Sequence, residues 1–198
     1  VGEDRAPLIL KTFIRLDPEH PYRNIQLFAF DMRRLGLHFV GGADPSEGLL
    51  EGVGSGRVPQ RHYRQLVAAF NGGPEPNPGQ GIQQDGHQII PYTQGLSTVA
   101  TDQRGRALFG RLDIDQLPRS WESVRQSFAP LVDQRVLTQD TLPPQSPYGR
   151  LDQVRIPRSA IGITHRGTLI YAWSEASTAQ HMAVALKRVG VTFGLSLK

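Results

Sequence analysis

Hydrophobic and polar residues alternate over several short segments of the chain, which is the pattern of β-strands with one buried face. Two such segments, residues 7–16 and 25–30, lie near the start. Three later segments each place two strands around a polar turn and predict hairpins, at residues 81–90, 96–112 and 158–173. The first hairpin has Asp-Gly at its centre, which suits a type I′ turn. The pattern therefore predicts a sheet rich in antiparallel pairs.

Two further segments have the spacing of helices. In residues 119–132 the apolar positions fall three or four apart, and Ser120 is suitably placed to cap a helix. Those apolar positions are Trp121, Val124, Phe128 and Leu131. A short helix running into a strand is also predicted in residues 62–70.

The C-terminal part has the most regular pattern. Ser174 or Ser177 is predicted to cap a helix that ends at Gly190, and residues 191–197 then form a buried strand. The apolar face of this helix consists of Ala179, Met182, Ala183, Leu186 and Val189. Together the elements predict an α+β fold, with a mixed, largely antiparallel sheet built from hairpins and a few packed helices.

Composition limits the class of protein. The chain has 198 residues, which fits one domain, and it has no cysteine, which excludes disulfides and a cysteine nucleophile. Many of its 21 glycines and 15 prolines fall in predicted loops at residues 41–60, 71–81 and 138–150. Because it starts at Val1 and ends within a predicted strand, we expect residues 1–198 to be a single domain taken from a longer protein.

Charge and hydropathy exclude two classes of partner. The net charge is +4, but the basic residues are scattered and no basic run is interleaved with aromatics, so we expect no nucleic-acid partner. The apolar runs are only a few residues long, so no membrane span is expected. The six histidines lack the spacing of metal ligands, so no metal site is predicted, and the need for a cofactor stays open.

The segment with the clearest chemical character is VAAFNGG, residues 67–73. An apolar run ends at Asn71, which would present its amide at the end of a buried strand. Gly72 and Gly73 allow a sharp turn and let a ligand approach the main-chain N–H groups. The alternative is an ordinary turn, because Asn-Gly is among the commonest turn dipeptides.

Other segments extend this observation to much of the chain. In their order and spacing they resemble the phosphodiester glycosidase family over residues 55–198. The matching segments are AAFNGG at 68–73, GIQQDGHQII at 81–90, TVATDQRGRALFG at 98–110, RSAIGITHRGTLIYAW at 158–173 and the closing GLSLK at 194–198.

The resemblance implies hydrolysis of a sugar-1-phosphodiester or a related substituted sugar. It implies a carbohydrate or sugar-phosphate ligand and a location outside the cytoplasm, whether extracellular, periplasmic or envelope-associated. The catalytic residues that it implies are Asn71, Asp85 and Glu175. The substrate-binding residues that it implies are Gly72, Gly73, Arg158 and Ser159, with the planar fork of Arg158 holding the phosphate.

Three positions depart from the family's pattern. Ser196 and Lys198 stand where the closing strand of the family has Asn and Asp, and Pro74 stands where an aromatic residue is usual. Exchanging a carboxylate for an ammonium group reverses the charge at that position. The alternative function is therefore a non-catalytic module on the same fold that binds a glycan or a protein.

Overall fold

The computed structural model describes residues 6–42, 56–73, 80–111, 121–127, 129–138 and 154–197. Within these ranges it contains twelve strands, one α-helix and one short 3-10 helix at Gln60–His62. The elements are β1 (Ile9–Ile14), β2 (Ile25–Asp31), β3 (Ile82–Gln84), β4 (His87–Ile90), β5 (Ser97–Thr101), β6 (Ala107–Arg111), β7 (Ser123–Ser127), β8 (Val132–Asp133), β9 (Val136–Leu137), β10 (Ile156–Thr164), β11 (Thr168–Ser177), α1 (Ala179–Arg188) and β12 (Val191–Ser196).

The chain divides into two compact units. The first contains the described residues within 1–35 and 129–196, and the second contains those within 36–128 together with Leu197. Each unit is built on one antiparallel sheet. That the whole of residues 1–198 forms a single domain stays a prediction.

The first unit is a seven-stranded sheet in the order β1-β2-β11-β10-β12-β8-β9. On one face, the register brings Leu27, Ala172 and Ala160 side by side on three neighbouring strands. Met182 and Leu186 of α1 belong to the same buried apolar cluster. Burial of this apolar surface is the main source of stability for the unit.

The helix α1 begins and ends as its sequence requires. The Thr178 hydroxyl oxygen accepts a hydrogen bond from the His181 N–H at 3.1 Å, so Thr178 is the N-cap rather than the predicted Ser174 or Ser177. Gly190 has a φ of +83°, which stops the helix at the predicted place. The apolar face predicted for this helix is confirmed, because four of its five residues are buried and Val189 is partly buried, while its predicted cap is wrong.

Two paired glycines leave room for the apolar side chains that pack on the sheet. Gly162 of β10 lies opposite Gly194 of β12. A Cβ atom on Gly162 would come 2.6 Å from Val191 Cγ1, and one on Gly194 would come 2.9 Å from Leu186 Cδ1. Glycine is required here because any side chain would push the apolar layer away from the sheet.

The second unit is a five-stranded sheet in the order β4-β3-β7-β5-β6. The predicted Asp-Gly hairpin joins β3 and β4, and both turn residues have positive φ, +50° at Asp85 and +77° at Gly86. The predicted hairpin over residues 96–112 is β5 paired with β6. The central strand is β7, which pairs with both β3 and β5.

The predicted α+β class is wrong. The molecule is mostly β, with two antiparallel sheets, and α1 is the one α-helix among the residues that the structure describes. Within residues 119–132, for which a helix is predicted, the described residues instead include the strand β7. All five residues of β7 are buried, so its two faces are not distinguished by polarity and the strand period is hidden. Hydrogen bonds from strands on both sides override the helical spacing of its apolar residues.

The remaining predictions have mixed outcomes. The strands at residues 7–16 and 25–30 and the hairpin at 158–173 are confirmed. In place of the helix predicted at 62–70 there is only the 3-10 turn, and no strand follows it within that range. Much of the loops predicted at 41–60, 71–81 and 138–150 lies outside the described residues. Over the described ranges, no helix has the length and apolar character needed to cross a membrane.

Candidate functional site

The Asn-Gly-Gly segment, residues 71–73, which we call the glycine turn, contacts the residue that follows β12. The Asn71 side-chain amide donates to the carbonyl oxygen of Leu197 at 3.1 Å, across 126 positions of sequence. Leu197 is buried and directly follows β12. The contact fixes the orientation of the Asn71 amide, because its nitrogen must face that carbonyl.

The two glycines of this turn are required by their surroundings. A Cβ on Gly72 would come 2.9 Å from the Phe39 ring carbon Cε2. Gly73 has a φ of +134°, which side chains rarely tolerate, and its Cβ would come 3.1 Å from Nε and 3.4 Å from Nη2 of Arg125. The main chain of the turn therefore lies directly against the Arg125 guanidinium.

Arg125 lies in the middle of β7, with only 7% of its surface exposed. Its neighbours in register are Ile82 of β3 and Val99 of β5. Burial lowers the pKa of its guanidinium, which nevertheless stays charged at neutral pH. A charged group placed so deep in a sheet is costly unless polar groups or a counter-ion surround it.

The sheet supplies such polar groups on the face that carries Arg125. Directly paired strand residues project to the same face, as do residues two apart on one strand. Ser97 is paired with Ser127, and Thr101 with Ser123. We call these hydroxyl residues together with Arg125 the polar face; its members are Ser97, Thr101, Ser123, Arg125 and Ser127, all buried.

The opposite face of β7 holds the strand in place. The buried Gln126 oxygen accepts from the Gly81 and Thr93 N–H groups at 3.0 and 2.8 Å. Its amide nitrogen donates to the Thr93 carbonyl at 2.9 Å and to the Thr98 hydroxyl at 3.3 Å. With its side chain bonded in four directions, Gln126 fixes β7 between β3 and β5, and so fixes the direction of Arg125.

Arg158 and Ser159, the other predicted substrate-binding residues, lie on β10 in the first unit. The Arg158 Nε donates to the Ser177 carbonyl at 3.0 Å, and its Nη2 donates to the Val154 carbonyl at 3.3 Å. Because neighbouring residues on a strand point to opposite faces, Arg158 and Ser159 project away from each other. Their predicted roles as ligand contacts stay predictions.

The two predicted acids are both exposed. Asp85 is at the tip of the β3–β4 hairpin, where its positive φ serves the turn. Glu175 lies on β11 of the first unit, beside a bulge at which the pairing with β10 shifts between Ile156 and Arg158. Of the departures from the family's pattern, Ser196 pairs with Ala160, whereas Lys198 lies outside the described residues.

One group of side chains is close enough to bind a cation, among the residues described. It consists of Asp17, Glu19 and His20. However, the Asp17 Oδ2 already lies 2.6 Å from Arg155 Nη2 and 3.0 Å from His20 Nδ1. Burial raises the pKa of Asp17, but Arg155 and His20 more than offset this and hold it below the ordinary value. The group is therefore explained as an ion-pair network within the first unit.

The structure thus brings the predicted residues Asn71, Gly72 and Gly73 together with Arg125, which sequence analysis missed. The signal for Arg125 was present in its segment, Ser123-Val124-Arg125-Gln126-Ser127, where a single apolar residue stands among four polar ones. Such a run is unusual for the buried side of a helix. Chemically, this arrangement offers a guanidinium, hydroxyl groups and a glycine turn, which are the donors that an oxyanion needs.

Comparisons with known proteins bear on the fold. No family model and no curated sequence matches the chain. The catalytic domain of zebrafish N-acetylglucosamine-1-phosphodiester alpha-N-acetylglucosaminidase, auto-inhibited by its pro-peptide, has a similar fold, with a TM-score of 0.69 and 14% identity over 99% of this chain and 72% of that one. A hypothetical protein from Synechocystis is also similar, with a TM-score of 0.61 and 12% identity over 95% of this chain and 55% of that one. At these identities the likeness shows a shared fold.

Proposed function

We propose that this protein hydrolyses a sugar-1-phosphodiester. In this reaction water adds to the sugar, the bond between the sugar and the phosphate-linked group breaks, and the phosphate leaves as a monoester. The observation that carries the proposal is the hydrogen bond from Asn71 to Leu197, because it joins the Asn-Gly-Gly turn to the closing segment. Those are two of the segments on which the resemblance to phosphodiester glycosidases rests. The shared fold with a phosphodiester α-N-acetylglucosaminidase supports the same reaction class.

The chain supplies polar groups for the roles that this reaction requires. In this proposal the main-chain N–H groups of Gly72 and Gly73 stabilise negative charge on the phosphate oxygens. Asn71, held by Leu197, orients the sugar or the attacking water. Asp85, which belongs to the same unit as Asn71, is the proposed acid or base; Glu175 belongs to the first unit, and its catalytic role stays a prediction of the sequence. The substrate class implies that the protein acts outside the cytoplasm.

The test is an assay of sugar release from a panel of α- and β-linked sugar-1-phosphodiesters, including N-acetylglucosamine. We expect turnover with at least one member and a fall of roughly 100-fold or more in kcat/KM for Asn71→Ala, because loss of one positioned donor has effects of that order. The matched control is Asn24→Ala, an asparagine of the first unit. Absence of turnover across the panel with a folded protein would exclude hydrolysis.

The closing segment favours a second candidate function. Ser196 and Lys198 replace the polar and acidic residues of the family's pattern, as expected for a module that binds a glycan without cleaving it. This candidate predicts binding of a sugar phosphodiester in the absence of turnover. Calorimetry of the same panel separates the two functions, because only the hydrolase changes its ligand.

A further inference from the structure

We propose that Arg125, together with the Asn71–Gly73 turn and the hydroxyl groups of the polar face, forms a phosphate-binding subsite. This inference rests on the proposed function, since it gives the phosphate of the substrate its binding residue. It moves that role from Arg158, which the sequence suggests, to an arginine of the other unit.

The first argument is the position of the guanidinium. A Cβ added to Gly73 would lie 3.1 Å from Arg125 Nε, so main chain and guanidinium are nearly in contact. An anion seated at this edge of the turn would meet the guanidinium fork and the N–H groups of the turn together. A planar fork makes two parallel charge-assisted bonds to a phosphate, which an ammonium group cannot do.

The second argument is the polar face around it. By register, Ser127 is two residues from Arg125 on the same strand, and Ser97 lies diagonally across on β5. Residues so related lie about 7 Å apart, so one oxyanion with several oxygens spans the distance between them. The Ser97 hydroxyl is fully buried and has no hydrogen-bond partner within the described part of the chain. Hydroxyl side chains on the same sheet face as a buried cation are suitable ligands for a phosphate.

The third argument is the contrast with Arg158. Both arginines are 7% exposed, but Arg158 donates to the carbonyls of Ser177 and Val154. Those bonds commit at least two of its donors to the main chain. Arg125 has interaction partners of its own as well, and its guanidinium in addition lies against the Asn71–Gly73 turn, whose sequence has the character of a ligand-binding loop.

The experiment is a titration of the unmodified protein with inorganic phosphate and with methyl phosphate, followed by nuclear magnetic resonance. We expect shifts at the Gly72 and Gly73 amides and at the Arg125 Nε–H. Calorimetry is then repeated on Arg125→Gln, which should weaken phosphate binding roughly 10- to 100-fold, the range expected for lost charge-assisted bonds. Arg104→Gln, at an exposed arginine of the second unit, is the matched control and should bind phosphate as the unmodified protein does.

Shifts confined to other residues, or unchanged affinity in folded Arg125→Gln, would overturn the subsite. If Arg125→Gln does not fold, the resonance titration of the unmodified protein decides alone. The outcome also separates the two proposals. Phosphate binding at Arg125 without sugar release would support the subsite and contradict the proposed hydrolysis. Sugar release that Arg125→Gln leaves unchanged would support hydrolysis and contradict the subsite.

Discussion

Arg125 and Arg158 are buried to the same degree, and each lies on a strand inside an antiparallel sheet. Their surroundings differ. Arg158 donates to the main chain of its own unit, and Arg155, three residues earlier, binds Asp17 in that unit at 2.6 Å. Arg125 lies against a glycine turn, on a face of hydroxyl side chains. The comparison teaches that burial alone does not identify a binding residue; what the charged group faces decides its role.

The largest effect should come from removing the Arg125 charge in the assay for sugar release. We expect Arg125→Gln to lower kcat/KM roughly 100- to 1,000-fold, because the guanidinium stabilises charge on the departing phosphate. Arg125→Lys should recover part of this loss, since the charge returns without the fork. Arg158→Gln, measured well below its unfolding temperature, should keep kcat/KM within a few fold. Equal falls in kcat/KM for Arg125→Gln and Arg158→Gln would contradict the different roles that we give to the two arginines.

The second effect concerns stability, and here the large loss is expected at Arg158 instead of Arg125. Arg158→Met should lower the free energy of unfolding by about 2–4 kcal/mol, because it leaves the Ser177 and Val154 carbonyls without these donors. Urea denaturation measures the loss. The matched control is Arg166→Met, at an exposed hairpin turn, which should change stability by less than about 0.5 kcal/mol. A neutral Arg158→Met would show that the two carbonyl bonds contribute nothing.

A smaller effect is expected from the glycine beside Arg125. Gly73→Ala introduces strain at a φ of +134° and places a methyl group 3.1 Å from the guanidinium, so we expect about a 10-fold fall in kcat/KM. Gly167→Ala is the control for strain alone, because its φ is +77° but its Cβ would meet nothing within 4 Å. For each variant, the fall in kcat/KM is compared with the loss in free energy of unfolding. If this ratio is the same for Gly73→Ala and Gly167→Ala, the contact with Arg125 has no functional importance.

The smallest effect is a dependence on pH in the first unit. The pKa of Asp17 is below its ordinary value, so this carboxylate stabilises the fold above the unfolded-state pKa of about 3.9. That stabilisation should be lost as the pH falls through the lower folded-state value. The difference in Tm between the unmodified protein and Asp17→Asn should thus be constant from about pH 7 to 5, shrink as the pH falls past the unfolded-state value of about 3.9, and disappear only below the lower folded-state value. Glu19→Gln, at an exposed site in the same segment, should show no such difference.

Local patterns were sufficient for much of the fold. The Asp-Gly turn at residues 85–86 and the apolar face of α1 are encoded within a few residues, and both are present. The class was wrong because β7 owes its conformation to strands β3 and β5, which are distant in sequence. The polar residues of β7 are buried, so their polarity did not indicate which side of the strand faces solvent. A helical spacing of apolar residues was therefore a misleading guide.

One part of the candidate site can likewise be predicted from local sequence, and the other part cannot. Asn71, Gly72 and Gly73 were found from sequence because consecutive glycines after an apolar run have a local meaning. Arg125 is not indicated by the sequence, because its position beside Gly73 arises from folding across some fifty residues, and its segment has the apolar spacing of a helix. The partner of Asn71 is a main-chain carbonyl, at Leu197, which no pattern of side chains could indicate.

The most direct test of the account is a crystal structure of the protein with a non-hydrolysable sugar phosphonate. The account predicts that the phosphonate oxygens bind the Arg125 guanidinium and the N–H groups of the turn at Gly72 and Gly73, within about 3 Å of each donor. A phosphonate bound at Arg158, with Arg125 and the turn making no contact to it, would contradict the account.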